Sequence, residues 1–148
     1  MRRSRLMVRE TGAKPVVVDA SMAVKWFAPE VDSVMADQLI EDERILVAPD
    51  IMPVEAASAW WKKVRRGEMN KADLEQALAN LLAMGVEWIP MPLLVERAAT
   101  MAVETGQTVY DCTYLVVCAE RGAAIATADE RMRGAAERMR LKIWRPVN

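Results

Sequence analysis

Three consecutive valines, Val16-Val17-Val18, run directly into Asp19-Ala20-Ser21, and this stretch decides how the rest of the chain is interpreted. A run of β-branched residues is typical of a short strand that is buried on both faces of a parallel sheet. Asp19 ends this strand, and Ser21 is predicted to be the N-cap of a short helix. A carboxylate beside a buried strand loses hydration, and this loss costs free energy unless a partner compensates for it. Asp19 is therefore the first candidate functional residue.

Short apolar runs alternate with segments of helical spacing along the rest of the chain. Further strands are predicted at residues 45–48, 86–89, 124–126 and 142–144, and helices at 22–27, 32–42, 53–66, 70–84, 93–104 and 108–119, with a last helix capped by Thr127. This alternation predicts an α/β fold, a three-layer α/β/α sandwich with a mostly parallel central sheet. Residues 15–148 are expected to form one domain after a basic N-terminal extension, residues 1–14.

The composition excludes several classes of function. The 148 residues carry a formal net charge of −1, so the composition does not indicate a strongly basic nucleic-acid-binding protein. The absence of histidine excludes a Ser–His–Asp triad, a histidine general base and a His-ligated zinc site. Cys112 and Cys118 are expected to be reduced, and no signal peptide or membrane span is predicted. We expect a soluble, cytoplasmic protein.

Four acids fall at positions that a parallel α/β sheet brings together. Asp19 ends the first strand, Glu55 lies in the first turn of the helix after the second, and Asp129 follows the strand at 124–126. The carboxyl ends of parallel strands form the crevice in which ligands bind. Asp111 begins the helix before that strand, and counting alone does not decide whether it joins the other three.

Each of these acids also has a purely structural explanation. Acids in a first helical turn interact favourably with the helix dipole. The segments from Thr108 to Asp111 and from Thr127 to Glu130 both fit a capping box. The spacing of the set, rather than any one acid, favours a functional site.

The same positions carry motifs of a known family. The segments are VVDAS (17–21), PVEAASAW (53–60), VYDCTYL (109–115) and TADERM (127–132). In this order and at these separations they resemble the successive motifs of PIN domains, specifically the VapC-type toxin ribonucleases. The resemblance covers residues 16 to about 146.

This resemblance implies a ribonuclease that hydrolyses RNA phosphodiesters with Mg²⁺ or Mn²⁺. It implies that the metal is held by Asp19, Glu55, Asp111 and Asp129, with the hydroxyl of Thr127 near it. It also implies a cognate antitoxin protein, a homodimer and no membrane association. The chemistry agrees, because a histidine-free carboxylate site suits these hard cations, and clustered carboxylates need a cation to remain charged.

Two further interpretations stay open. Lys62, Lys63, Arg65 and Arg66 form a basic cluster that is either a phosphate track for RNA or a solvated helix end favoured by the dipole. The alternative function is a PIN-like binding or scaffold module without catalysis, which the four intact acids argue against. A more distant alternative is a response-regulator receiver domain. Such a domain would need a pair of acids at the end of the first strand, where this chain has Asp19-Ala20.

Overall fold

Strands and helices alternate along the chain in a computed structural model, which describes residues 14–27 and 33–146. In chain order, the strands are β1 (Val16–Val18), β2 (Leu46–Pro49), β3 (Glu87–Ile89) and β4 (Ala124–Ala126). The helices are α1 (Ala20–Phe27), α2 (Ser33–Glu41), α3 (Met52–Arg65), α4 (Lys71–Ala83), α5 (Val95–Thr105), α6 (Val109–Arg121) and α7 (Glu130–Arg138), and a 3-10 turn at Met91–Leu93 precedes α5. The predicted extension lies outside the described residues except for Lys14.

The three valines of β1 occupy the centre of the molecule, and all of them are fully buried. Val16 and Val18 pack with Leu39 of α2 on one face of the sheet. Val17 packs on the other face, in the larger core that contains Trp60 of α3. Alternate side chains of a strand point to opposite faces, so β1 lies between two helical layers. The predicted three-layer α/β/α sandwich is confirmed.

Within the described residues, the sheet has four parallel strands in the order β3-β2-β1-β4. The chain moves outward from β1 through β2 to β3 and then returns to the other side of β1 as β4. Strand order therefore reverses between β1 and β4, and open α/β sheets bind ligands at the carboxyl ends of such neighbouring strands. Asp19 and Thr127 are the residues that follow these two strands.

Several local predictions need correction. The expected strand at residues 142–144 is reduced to one parallel bridge between Ile143 and Ile125, because these residues only line the outer edge of β4. The sequence also predicts that Trp60 and Trp61 both lie mostly in the core. Trp60 is fully buried, but the side chain of Trp61 is 50% exposed, because consecutive residues of a helix project about 100° apart.

Cys112 and Cys118 are both free and buried. In the part of the chain that the structure describes, every helix is too short or too polar to cross a membrane.

Candidate active site

Asp19 lies at the carboxyl end of β1, where its backbone N–H donates to the carbonyl oxygen of Ala126 in β4 at 3.3 Å. Its side chain is almost fully buried. The Ser21 hydroxyl donates to Oδ1 of Asp19 at 2.5 Å, and the Thr127 hydroxyl donates to Oδ2. Each carboxylate oxygen of Asp19 therefore has a hydroxyl donor.

The predicted role of Ser21 as an N-cap is wrong. Helix α1 already begins at Ala20, and Oδ1 of Asp19 accepts the backbone N–H of Met22 at 3.3 Å. Asp19 itself therefore supplies the side-chain oxygen at this helix start. Ser21 lies inside the first turn and turns its hydroxyl back toward Asp19.

The ionisation of Asp19 is shifted by its surroundings. Burial raises the pKa of Asp19 from 3.8 to about 6, although the hydrogen bonds from Ser21 and Thr127 act in the opposite direction. The charge of Asp129 raises this pKa further. Loss of hydration dominates because charged forms are disfavoured away from water. With a pKa of about 6, Asp19 is mostly ionised at neutral pH, and a bound cation would keep it charged at lower pH as well.

Thr127 connects the two sides of this crevice. Its hydroxyl oxygen accepts the backbone N–H of Asp129 at 3.0 Å while donating to Asp19. Thr127 was predicted to cap the last helix, and this is also wrong. The N-cap of α7 is Asp129, whose Oδ1 accepts the backbone N–H of Arg131 at 2.9 Å. The Thr127 hydroxyl is engaged with Asp19 instead.

Glu55 lies in the first turn of α3 and is contacted by a residue of another helix. The hydroxyl of Tyr114, in α6, donates to Oε1 of Glu55 at 2.5 Å. Burial raises the pKa of Glu55, the hydrogen bond from Tyr114 lowers it, and the nearby charge of Asp111 raises it. Glu55 is therefore part of the same electrostatic neighbourhood as Asp111.

Asp111 does join the site, which answers the question that residue counting left open. It lies in the first turn of α6, where its backbone N–H donates to the Thr108 hydroxyl at 3.1 Å. Burial raises the pKa of Asp111, Arg131 lowers it, and the charge of Asp129 raises it. The four acids thus form a row of neighbouring charges, in which each affects the pKa of the next. The row runs from Asp19 through Asp129 and Asp111 to Glu55.

Arg131 lies between two of these carboxylates. One guanidinium nitrogen, Nη2, is 3.4 Å from Oδ2 of Asp111 and 3.9 Å from Oδ2 of Asp129. These are ion-pair distances, but the buried Oδ2 of Asp111 has no hydrogen-bond partner among the described residues. That oxygen is buried and incompletely satisfied, a condition that a ligand can relieve.

The donor set fits a hard divalent cation in its chemistry. It consists of carboxylate oxygens, which are ligands that Mg²⁺ and Mn²⁺ prefer. Hydroxyl groups donate hydrogen bonds to two of these carboxylates. The unpartnered Oδ2 of Asp111 points to the same conclusion. Among the described residues, however, no three acidic or cysteine side chains converge closely enough to surround one ion. The acids share an edge of the sheet, and Arg131 partly balances them.

The predicted basic cluster divides into two parts. Lys62, Lys63 and Arg66 line a groove of about 450 Å³ that has Glu55 and Ser58 at its other end. Arg65 is not among the lining residues, and its guanidinium lies 5.0 Å from the ring centroid of Trp61. Helical spacing explains the division, because positions 55, 58, 62 and 66 share one face of α3.

Sequence reasoning missed the roles of Tyr114 and Arg131. The sequence predicts that Tyr110 and Tyr114, one turn apart, pack rather than stack on bases, but the hydroxyl of Tyr114 contacts Glu55. A signal was available, because Tyr114 lies three positions after Asp111 and so shares its helix face. Tyr110 was grouped with Tyr114, but its side chain is 60% exposed.

Comparison with known proteins places the chain in a family. The PIN domain profile matches residues 16–138, and the chain therefore belongs to the PIN-domain family. Ribonuclease VapC3 of Pyrobaculum aerophilum is 26% identical over 119 residues, which cover 79% of this chain and 91% of that protein. The family resemblance drawn from the motifs is confirmed.

Solved structures agree with the fold. The crystal structure of PAE2754 from Pyrobaculum aerophilum has a TM-score of 0.67 and 26% identity, covering 83% of this chain and 80% of that one. Mycobacterium tuberculosis VapC20, described as a sarcin-ricin loop cleaving toxin, has a TM-score of 0.69 at 19% identity, covering 88% of this chain and 99% of its own. The second likeness shows the fold alone.

The shifted Asp19 makes a prediction for the metal-free protein. Because its folded-state pKa of about 6 exceeds the unfolded value of 3.8, the folded state binds this proton more tightly. The Asp19 contribution therefore stabilises the fold as pH falls from above 6 toward 4, by at most roughly 3 kcal/mol. Urea unfolding in EDTA should show this gain in the wild type relative to Asp19→Asn. If the free energies of unfolding of the two proteins differ by the same amount at all pH values, the prediction is contradicted.

Proposed function

We propose that this chain is a metal-dependent ribonuclease of the VapC type, which hydrolyses RNA phosphodiesters as the toxin of a toxin–antitoxin pair. The observation that carries the proposal is a row of four carboxylates along the carboxyl edge of the sheet, each within electrostatic reach of the next, beginning at the switch point. The name of one relative, Ribonuclease VapC3, supports this substrate class. A module without catalysis would have no use for a buried acid as costly as Asp19.

Asp19, Glu55, Asp111 and Asp129 are the residues that would hold Mg²⁺ or Mn²⁺. In such a site the cation supplies an activated water and neutralises charge at the phosphate and the leaving oxygen. The contribution of the chain is to hold the acids in place. Thr127 donates to Asp19 and accepts from the backbone of Asp129, so one hydroxyl sets the spacing of two acids.

The chain offers no side-chain nucleophile at this site among the residues described. The hydroxyls of Ser21 and Thr127 are used as donors to Asp19. Cys112 and Cys118 are buried, and burial raises the pKa of Cys118 to about 12. Histidine is absent from the sequence. Water is therefore the attacking group in the proposed reaction.

A cognate antitoxin, a homodimer and a cytoplasmic location belong to the same proposal. The antitoxin and the homodimer are implied by the resemblance to VapC-type proteins, and the name of one relative, Ribonuclease VapC3, supports the antitoxin. A short reading frame directly upstream of the gene would support the antitoxin, and its absence would argue against it. Size-exclusion chromatography with light scattering tests the homodimer.

Metal should stabilise the folded protein. The cation binds the folded state and not the unfolded chain, so the gain is about 2.7 kcal/mol at a hundredfold excess over Kd. Thermal melting with Mg²⁺ or Mn²⁺ against EDTA, at matched ionic strength, measures this gain as a rise in Tm. Asp19→Asn should lose most of the rise. An equal Tm with metal and with EDTA would contradict the proposed site.

Asp111→Asn should abolish RNA cleavage while the fold is retained. The start of α6 depends on the Thr108 hydroxyl rather than on the Asp111 carboxylate, so the amide removes charge without removing the cap. Asp73→Asn is the matched control, because the backbone N–H of Asp73 is bonded in the same way by the Asn70 side chain at 2.7 Å. Cleavage assays and circular dichroism measure the two effects. Unfolding of Asp111→Asn with activity retained per folded molecule would make Asp111 structural.

The groove along α3 is proposed as the path of single-stranded RNA toward the acids. Lys62→Glu with Lys63→Glu should flatten the salt dependence of RNA affinity by roughly 1.4 units, since each neutralised phosphate contributes about 0.7. Arg65→Glu with Lys71→Glu makes the same charge change outside the groove and should have a smaller effect. Binding is measured in the Asp111→Asn background, which spares the RNA. Equal slopes for the two pairs would return the cluster to a solvated helix end.

A further inference from the structure

The hydroxyl of Tyr114 contacts a neighbouring helix that carries one of the acids. Tyr114 lies in α6, one turn after Asp111, and its side chain is only 2% exposed. The hydroxyl donates to Oε1 of Glu55 in α3 at 2.5 Å, across 59 positions of sequence. One phenol oxygen therefore connects α3 to α6.

Tyr114 does more than fill space in the core. A phenylalanine would pack the same ring, so the hydroxyl needs a separate reason to be buried. Burial of a hydroxyl costs free energy unless it is hydrogen-bonded, and here its acceptor is a carboxylate. A short hydrogen bond to a carboxylate is strong and directional. This bond restricts the rotation of the Glu55 carboxylate. It engages Oε1 and leaves Oε2 outside the bond to Tyr114.

We propose that Tyr114 is a positioning residue, whose hydroxyl holds the Glu55 carboxylate toward Asp111 in the orientation that serves the divalent cation. This inference rests on the proposed metal-dependent function. Residues that hydrogen-bond to metal ligands fix the orientation of those ligands, and their loss typically weakens metal affinity about 10- to 100-fold. Because Tyr114 is buried, it acts on the site through Glu55 and does not touch RNA.

The first experiment compares Mn²⁺ affinities by isothermal titration calorimetry in the metal-free protein. Tyr114→Phe should raise the Kd for Mn²⁺ by about 10-fold or more. Tyr110→Phe is the matched control, because Tyr110 lies one turn earlier in the same helix and is exposed. It should leave Kd within about twofold of the wild type. An unchanged Kd in Tyr114→Phe would overturn the proposal.

A double-mutant cycle separates positioning from a general loss of stability. If Tyr114 acts through Glu55, its removal should matter little once Glu55 is an amide. In the Glu55→Gln background, Tyr114→Phe should therefore change Kd by less than about threefold. A loss of the same size in both backgrounds would show that Tyr114 supports the site only by packing, and would overturn the proposal.

A spectroscopic measurement keeps the proposal testable if Tyr114→Phe does not fold. The chain has two tyrosines, so Tyr110→Phe protein labelled with 3-fluorotyrosine carries one fluorine probe, at Tyr114. Addition of Mg²⁺ should shift its ¹⁹F resonance, and Glu55→Gln should remove that shift. A resonance that does not respond, in a protein that binds Mg²⁺ by calorimetry, would overturn the proposal.

The outcomes distinguish this proposal from the proposed function. Wild-type protein that binds neither Mn²⁺ nor Mg²⁺ would overturn the metal site and Tyr114's role together. Wild-type protein that binds Mn²⁺, with Tyr114→Phe binding equally well, would overturn the role of Tyr114 alone and leave the metal-dependent function in place.

Discussion

Loss of hydration by carboxylates at one edge of the sheet, greatest at the buried Asp19, is the constraint on which the rest of this site depends. Parallel strands bring their carboxyl ends together, so Asp19 after β1 and Asp129 after β4 are forced into proximity. Helices α3 and α6 add Glu55 and Asp111. Burial and mutual repulsion both favour the protonated forms of such acids. The surrounding residues are arranged to oppose that tendency.

Two of the acids accept hydrogen bonds from hydroxyls, and the other two share one guanidinium. Asp19 accepts from Ser21 and Thr127, and Glu55 accepts from Tyr114. Arg131 lies within ion-pair distance of the other two carboxylates. These contacts hold the acids on rigid strand ends and helix starts, which preserves the spacing that metal-dependent chemistry requires. Oδ2 of Asp111 is an exception, because this buried oxygen has no hydrogen-bond partner among the described residues.

Local sequence signals predicted elements well but misassigned side-chain partners. The run of valines identified β1, and α4 begins at Lys71, within one residue of its predicted start at position 70. Ser21 and Thr127 were interpreted as caps because hydroxyls favour helix starts. Both hydroxyls instead donate to Asp19, and the carboxylates of Asp19 and Asp129 accept the backbone N–H groups at the two helix starts. Propensity describes what a residue can do at a helix end, not which partner it meets.

The sequence by itself determined the alternation of strands and helices, and with it the acids that must follow strand ends, since both depend on short-range periodicity. The motifs also identified the PIN-domain family. Only the tertiary structure decided that Asp111 interacts with Glu55, that Tyr114 reaches Glu55 and that Lys62 faces the same groove. The physical reason is distance along the chain. Thr127 and Asp19 are 108 positions apart, and no local pattern records which residues packing brings into contact.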